Sequence, residues 1–348
     1  MNRKHFLRSL TLAGAGLPVM QAIPALAAAQ NNLPVSTDAV PLIPPYLKPG
    51  DTIGITCPAG YIMLDEIRPA IEQMESWGYK VRPGKTVGMR DFTFGGRDEE
   101  RIADLQEMLD DPSIHAIMCA RGGYGMVRII DKLDFTSFVN RPKWVIGFSD
   151  ITVLHCHLSA NHPVASIHSK MCNSFPDDWS KADPLQQNTI LSIRRALSGE
   201  IMEYNTPPSA FNRRGMAEGV LVGGNLKTIE SLGGSASSIH TDGKILFVED
   251  TGEYLYSIDR MFWNLKRSGK LSNLAALVVG GFKVKLDDPG EEFGKTVIDI
   301  VMEKVKAFNY PVCFDFPVGH QRNNFAVKCG VMHRLVVGTE GVALKEKR

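Results

Sequence analysis

Excess charge is missing from this chain. Lys and Arg total 39 against 38 Asp and Glu, a formal net charge of +1. Such a balance leaves no electrostatic case for a nucleic-acid partner. The six cysteines (Cys57, Cys119, Cys156, Cys172, Cys313 and Cys329) include no C-x-x-C pair. Most lie in apolar, strand-like runs, where cysteine behaves as a small buried hydrophobe, so free thiols are expected. No dinucleotide fingerprint is present either, because Arg128 occupies the last position of the G-x-G-x-x-G that Gly123-Tyr124-Gly125 would open. Internal repeats and low-complexity tracts are absent. So is a long hydrophobic run: the apolar stretch from about Leu10 to Met20 is short and broken by Pro18 and Gln21, too little to span a bilayer.

That stretch has another reading. It follows a cationic start, Met1-Asn2-Arg3-Lys4-His5-Phe6-Leu7-Arg8, and precedes Ala25-Leu26-Ala27-Ala28-Ala29, the small-residue pattern of signal-peptidase cleavage. Residues 1–29 are therefore expected to be a signal peptide, with the mature chain starting near Ala28 or Gln30 and exported to the periplasm or another extracytoplasmic space. Arg3-Lys4-His5-Phe6-Leu7 resembles a twin-arginine signal with Lys in place of the second Arg. An uncleaved anchor is the alternative, and no stable membrane anchor is expected.

About 320 residues remain, enough for two domains with cores of their own. Residues 30–48 read as a Pro-rich, polar linker. From 49 to 172, strand-like runs at Asp51–Gly60 (a strand ending in a turn), Tyr79–Arg82, Ile114–Ala120, Lys143–Ile146 (with Gly147 as the turn) and Val164–His168 alternate with helical spacings. A helix is expected from Asp65 to Trp77, another from Asp98 to Leu109, and a third through Val127, Ile130 and Leu133. This alternation predicts an α/β domain with a parallel sheet. Residues 173–214 are polar and turn-rich around a helix at Leu185–Leu197, and read as an inter-domain linker with loop at 205–209. A second domain is expected over 215–348, with strands at Lys244–Val248 and Leu274–Val279, an amphipathic helix from Glu291 to Phe308 and a β-rich tail.

The stretch that draws attention is Lys143 to Thr152. An apolar strand ends at Gly147, and a helix begins almost at once. A serine at such a turn is held above the sheet edge, beside backbone N–H groups that lack helical partners and can stabilise an oxyanion. Ser149 therefore sits as in a nucleophile elbow, although Ile151 replaces the last glycine of G-x-S-x-G. A serine that merely caps a helix is the competing explanation. Functional groups of α/β proteins gather at the carboxyl ends of strands. Those ends deliver Arg121-Gly122-Gly123, Ser149, Glu249 and His320, which in principle supply a nucleophile, a carboxylate and a base. Sequence distance does not say whether they meet.

Arg-Gly-Gly-Tyr-Gly at 121–125, Gly-Phe-Ser-Asp-Ile-Thr at 147–152 and Gly-Gly-Asn-Leu at 223–226 resemble the LD-carboxypeptidases, or muramoyltetrapeptide carboxypeptidases. Val-Glu-Asp at 248–250, Ile-Asp-Arg-Met at 258–261 and Gly-His at 319–320 do so as well, and the likeness runs from about Pro45 to Val337. It implies an amidotransferase-like N-terminal domain, a β-rich α/β C-terminal domain and a site between them. It further implies a serine peptidase that releases terminal D-alanine from murein tetrapeptides without metal or cofactor. Ser149 would attack the scissile carbonyl, His320 would shuttle the proton and Glu249 would orient His320. The N–H of Asp150, with one from Gly122 or Gly123, would hold the oxyanion. One departure stands out: His168-Ser169-Lys170-Met171 replaces a His-Gly-Pro-Met found in many members, and brings Lys170 near the expected substrate cleft.

Other functions fit less well. His155-Cys156-His157 with His162 hints at a metal, but residues two apart on a helix face different ways and no acid completes a ligand set. A microcin-immunity-type hydrolase of acyl-adenylate antibiotics would use the same triad, but such toxins act inside cells. A periplasmic solute-binding protein would share the export and two-domain design, yet it has no use for Ser, Glu and His at strand ends. The partner expected is a muropeptide; whether the protein forms a homodimer is left open.

Overall fold

The computed structural model describes residues 41–347. The expected leader, 1–29, and residues 30–40 of the expected linker lie outside the described residues. In chain order the first domain runs β1 (Thr52–Thr56), α1 (Leu64–Ser76), β2 (Lys80–Pro83), α2 (Asp98–Asp110), β3 (Ala116–Cys119), α3 (Thr136–Asn140), β4 (Trp144–Gly147), α4 (Thr152–Asn161) and β5 (Ser166–His168). Next come α5 (Pro184–Leu197), β6 (Glu203–Thr206), β7 (Gly215–Asn225), α6 (Leu226–Ser231), β8 (Ile245–Thr251), α7 (Leu255–Arg267) and β9 (Ala276–Lys283). The chain ends with α8 (Val297–Val305), β10 (Val312–Cys313), β11 (Val327–Cys329), β12 (Met332–Val337) and β13 (Val342–Glu346).

These elements make two α/β domains. The first holds a six-stranded sheet in the order β11-β5-β4-β3-β1-β2, parallel except where β11 runs against β5. Every residue of β3 and β4 is buried, as a parallel sheet covered on both faces requires. The second holds a seven-stranded mixed sheet, β10-β9-β8-β7-β12-β13-β6. Its β7 to β10 side is parallel. On the other side β12 and β13 pair antiparallel, and β12 alternates exposed and buried positions, so only one face is covered. Helix α7 buries Ile258, Met261, Phe262 and Leu265, each burial contributing about 1.5–3 kcal/mol.

The structure departs from the sequence reading in several places. No α-helix follows Gly125; Met126–Arg128 and Ile130–Lys132 are short 3-10 turns instead. There the Asp150 carboxylate accepts from the Met126 N–H and the Arg101 guanidinium donates to the Gly125 carbonyl, so side chains from other elements fix the start of the turn. The helix expected over 291–308 shrinks to α8, because Thr296 and Asp299 close a capping box at its start. Part of the segment read as linker and loop forms β6, which pairs with β13. The β-rich tail does not stay in one domain, since β11 joins the first sheet.

That exchange is pinned by a buried ion pair. Lys328 on β11 donates to Glu346 on β13 at 2.9 Å, with the two side chains 0% and 3% exposed. The lysine also reaches the Glu200 carbonyl at 3.1 Å, and Glu346 accepts from the Met202 N–H. Lys328→Met is expected to destabilise the protein by about 3–5 kcal/mol, because it strands a buried carboxylate. Adding Glu346→Leu should restore most of that loss. Chemical unfolding of the single and double variants checks this, and equal losses in both would contradict it.

Candidate active site

Ser149 lies where β4 hands over to α4. Phe148 is still extended, and Ser149 then takes φ 62°, a left-handed conformation, before a 3-10 turn over Ser149–Ile151 leads into the helix. Holding a non-glycine residue there costs on the order of 1–3 kcal/mol, which the surrounding structure must supply. The elbow tolerates Ile151 because the side chain folds over Gly147: a Cβ built at Gly147 would stand 2.9 Å from it. The anchoring comes from Asp150, whose buried carboxylate accepts from the Met126 N–H at 2.7 Å. Burial lifts its pKa from the ordinary 3.8 to about 6.

That bond draws the 121–126 loop against the serine. A Cβ at Gly122 would lie 3.0 Å from Ser149 Cβ and 3.2 Å from its Oγ, so only glycine lets the backbone come so close. The loop is braced behind by Arg101, a fully buried side chain that donates to Pro58 O at 2.6 Å and Gly125 O at 2.9 Å. Among the described residues the N–H groups of Asp150, Gly122 and Gly123 have no internal acceptor. Gly122 borders Ser149, whereas Gly123 packs on Gly60.

Glu249 comes from the second domain, near the end of β8. Val248 pairs with Val279 and Asp250 with Phe282, so Glu249 faces two residues of β9, Gly280 and Gly281. Bulges of this kind re-aim side chains beside functional sites. Here the extra residue lets Gly281 bridge to Gly319, which sets His320 onto the carboxylate. His320 Nδ1 lies 2.6 Å from Glu249 Oε2, and the His320 N–H donates to the same oxygen at 3.2 Å. An ionised carboxylate only accepts, so Nδ1 carries the proton and Nε2 is left as the basic nitrogen. Gly319 has φ 101°, and a Cβ there would sit 2.4 Å from that of Glu249. Glu249 is fully buried, while His320 keeps 19% of its side chain exposed.

The two halves meet at Phe148. Its ring centroid is 4.9 Å from that of His320, so the Glu249–His320 pair rests on the residue preceding Ser149. Thr152 at the start of α4 accepts from the Asn225 N–H at 3.0 Å, and Asn225 in turn bonds Asp250. Among the described residues no hydrogen bond joins Ser149 to His320. Such bonds often tighten only once substrate is bound. The arrangement suits acyl transfer: a hydroxyl on a residue of strained backbone, a carboxylate-oriented imidazole and free N–H groups at the elbow.

Two long segments match family models, 53–169 to the LD-carboxypeptidase N-terminal domain and 218–335 to the LD-carboxypeptidase C-terminal domain. The chain belongs to the LD-carboxypeptidase family. It is similar to a "Probable murein peptide carboxypeptidase" of Bacillus subtilis, 32% identical over 82% of this chain and 89% of that one. A murein tetrapeptide carboxypeptidase of Pseudomonas aeruginosa is 31% identical over 79% and 89%. The crystal structure of a muramoyltetrapeptide carboxypeptidase from Oxalobacter formigenes superposes with a TM-score of 0.75 at 27% identity, covering 85% of this chain and 99% of that one.

Around this site of an LD-carboxypeptidase family member, Asn324 gave no signal in the sequence, and His168 appeared there only within a family motif. Asn324 is fully buried and accepts from the Gly319 N–H at 2.7 Å, fixing the turn before His320. His168 is fully buried between Phe148 and Phe247, and burial pushes its pKa well below the usual imidazole value. The histidines considered and set aside as metal ligands hydrogen-bond within the fold: His155 contacts Ser166 and Gly147 O, and His157 contacts Ser237. Gly319→Ala tests the geometry directly. The added methyl should push His320 off Glu249 and lower kcat by about 10²-fold or more, with the fold retained by circular dichroism. Full activity in that variant would mean that the pair does not need this turn.

Proposed function

We propose that this protein is a serine LD-carboxypeptidase that releases the terminal D-alanine of murein tetrapeptides by cutting the bond after the L-centre of the third residue. The observation that carries the reading is the part-buried Glu249–His320 hydrogen bond resting on Phe148, one residue from a serine with positive φ. Kinship to murein peptidases at 31–32% identity supports the substrate class.

In this mechanism Ser149 Oγ attacks the scissile carbonyl while His320 Nε2 takes its proton. Glu249 holds the imidazole by Nδ1 and stabilises the imidazolium that forms. The N–H groups of Asp150 and of Gly122 or Gly123 receive the oxyanion. Collapse of the tetrahedral intermediate passes the proton to the leaving amine of D-alanine and leaves an acyl-enzyme. Water, deprotonated by the same imidazole, then releases the tripeptide and restores the serine.

Purified protein incubated with a murein tetrapeptide should release D-alanine, detected by mass, and should leave D-Ala-D-Ala pentapeptide ends intact. Ser149→Ala should lower turnover by on the order of 10⁴ to 10⁶, and adding His320→Ala should cost almost nothing more. Additive losses would falsify the joint action of the two residues. Cleavage of an aminoacyl sulfamoyl nucleotide with no attack on tetrapeptide would shift the reading to the microcin-immunity type.

We also propose that the protein acts outside the cytoplasm, on the wall itself or on its fragments, because of the leader at residues 1–29. Fractionation of expressing cells should find a shortened chain in the extracytoplasmic fraction. A full-length chain confined to the cytoplasm would count against export.

A further inference from the structure

The ammonium of Lys170 is met at contact distance by a carbonyl rather than by a carboxylate. The residue follows β5 and is half-buried, and its ammonium donates to the Gln321 carbonyl at 2.7 Å. The same nitrogen lies 5.6 Å from the centroid of the Phe148 ring. Phe148 precedes Ser149 and Gln321 follows His320, so the cation stands beside both halves of the proposed catalytic set. Among the described residues it forms no ion pair. Burial lowers its pKa, and the charge of Glu249 opposes that only from a distance; Glu249 Oε2 is already engaged with His320. An ammonium offers three donors, and one is spent here on a neutral carbonyl. Taking such a charge out of water is costly until an anion meets it.

The space for that anion is present. Lys170 lines a cavity of about 650 Å³, walled also by the 173–182 segment, the first turns of α5 and Arg322. That volume is in the usual range for a small-ligand site. Its other cations already have partners: Lys181 pairs with Asp178 at 2.8 Å, and Arg322 with Asp183. Asp177, in the same wall, is exposed and forms no ion pair with Lys170.

We propose that Lys170 binds a carboxylate of the peptide substrate and thereby selects which peptides are cut. The proposal rests on the carboxypeptidase reading above. A tetrapeptide of that class offers two candidates for the same ammonium. One is the terminal carboxylate of the leaving residue, a single residue step of about 3.8 Å beyond the scissile carbonyl. The other is the side-chain carboxylate of a diaminopimelate at the third position, which lysine lacks.

The test measures kcat/KM on four peptides: tetrapeptides with diaminopimelate or lysine at the third position, each as the free acid and as the C-terminal amide. Wild type, Lys170→Met and Lys170→Arg are compared. Wild type should favour the carboxylate-bearing peptide at one of the two positions by about 10- to 100-fold, the size of a hydrogen bond between charged groups. Lys170→Met should erase that preference by slowing only the carboxylate-bearing peptides, and Lys170→Arg should keep most of it. Loss of the acid-over-amide preference identifies the terminal carboxylate, and loss of the diaminopimelate-over-lysine preference identifies the side chain. Equal slowing of all four peptides, as expected if Lys170 acts only on the Glu249–His320 pair, would overturn the proposal. So would preferences that survive Lys170→Met unchanged. A wild type that cuts none of the peptides sinks the carboxypeptidase reading too, and needs no variant to be seen.

Discussion

The hydrogen bond between Glu249 and His320 is the contact on which the rest of the site depends. A fully buried carboxylate is tolerated only if hydrogen bonds replace water, and this one receives both the imidazole and the backbone N–H of the same residue. Among the described residues its other oxygen has no hydrogen-bond partner, which places its hydrogen bonding on the histidine side. Everything around it serves that meeting. The two-for-one step in β9 admits the 318–320 backbone, the positive φ of Gly319 turns it, and Asn324 holds the turn.

A second requirement follows, because the serine belongs to a different sheet. The pair is useful only if the first domain keeps Ser149 beside it, and independent elements enforce this. Thr152 at the start of the elbow helix is tied to Asn225 of the second domain. Strand β11 crosses into the first sheet, and Lys328 binds it to Glu346 on the far side. Phe148 fills the seam against His320. The strained φ of Ser149 fits this picture, since strain survives only where the neighbours over-determine the backbone.

Lys170 borders the same seam, between Phe148 and Gln321. A peptide of the class proposed above carries a free carboxylate, and an ammonium with spare donors beside the proposed nucleophile and base is the chemistry that would sense it. Its partner in the protein is a carbonyl dipole, so a bound carboxylate would add a charge–charge term without breaking an existing ion pair.

Much of this was legible in the chain. The apolar runs at Ile114–Ala120 and Lys143–Ile146 read as buried strands and contain β3 and most of β4, and the helices at Leu64–Ser76, Asp98–Asp110 and Pro184–Leu197 fell within a residue or two of their spacing, because local periodicity reports which face is buried. Ser149, Glu249 and His320 stood out as polar groups at strand ends, and the family motifs named them as a set. What local pattern cannot carry is pairing between distant segments. The 3-10 turns after Gly125, β6 at Glu203–Thr206 and the crossing of β11 are decided by partners up to a hundred or more residues away. So are the bulge that aims Glu249 and the contact of Lys170 with a carbonyl. The sequence by itself determined the strands, the helices and the residue types the chemistry needs. The tertiary structure alone decided that His320 meets Glu249 against Phe148, since a hydrogen bond across 71 positions of chain exists only once both sheets are packed.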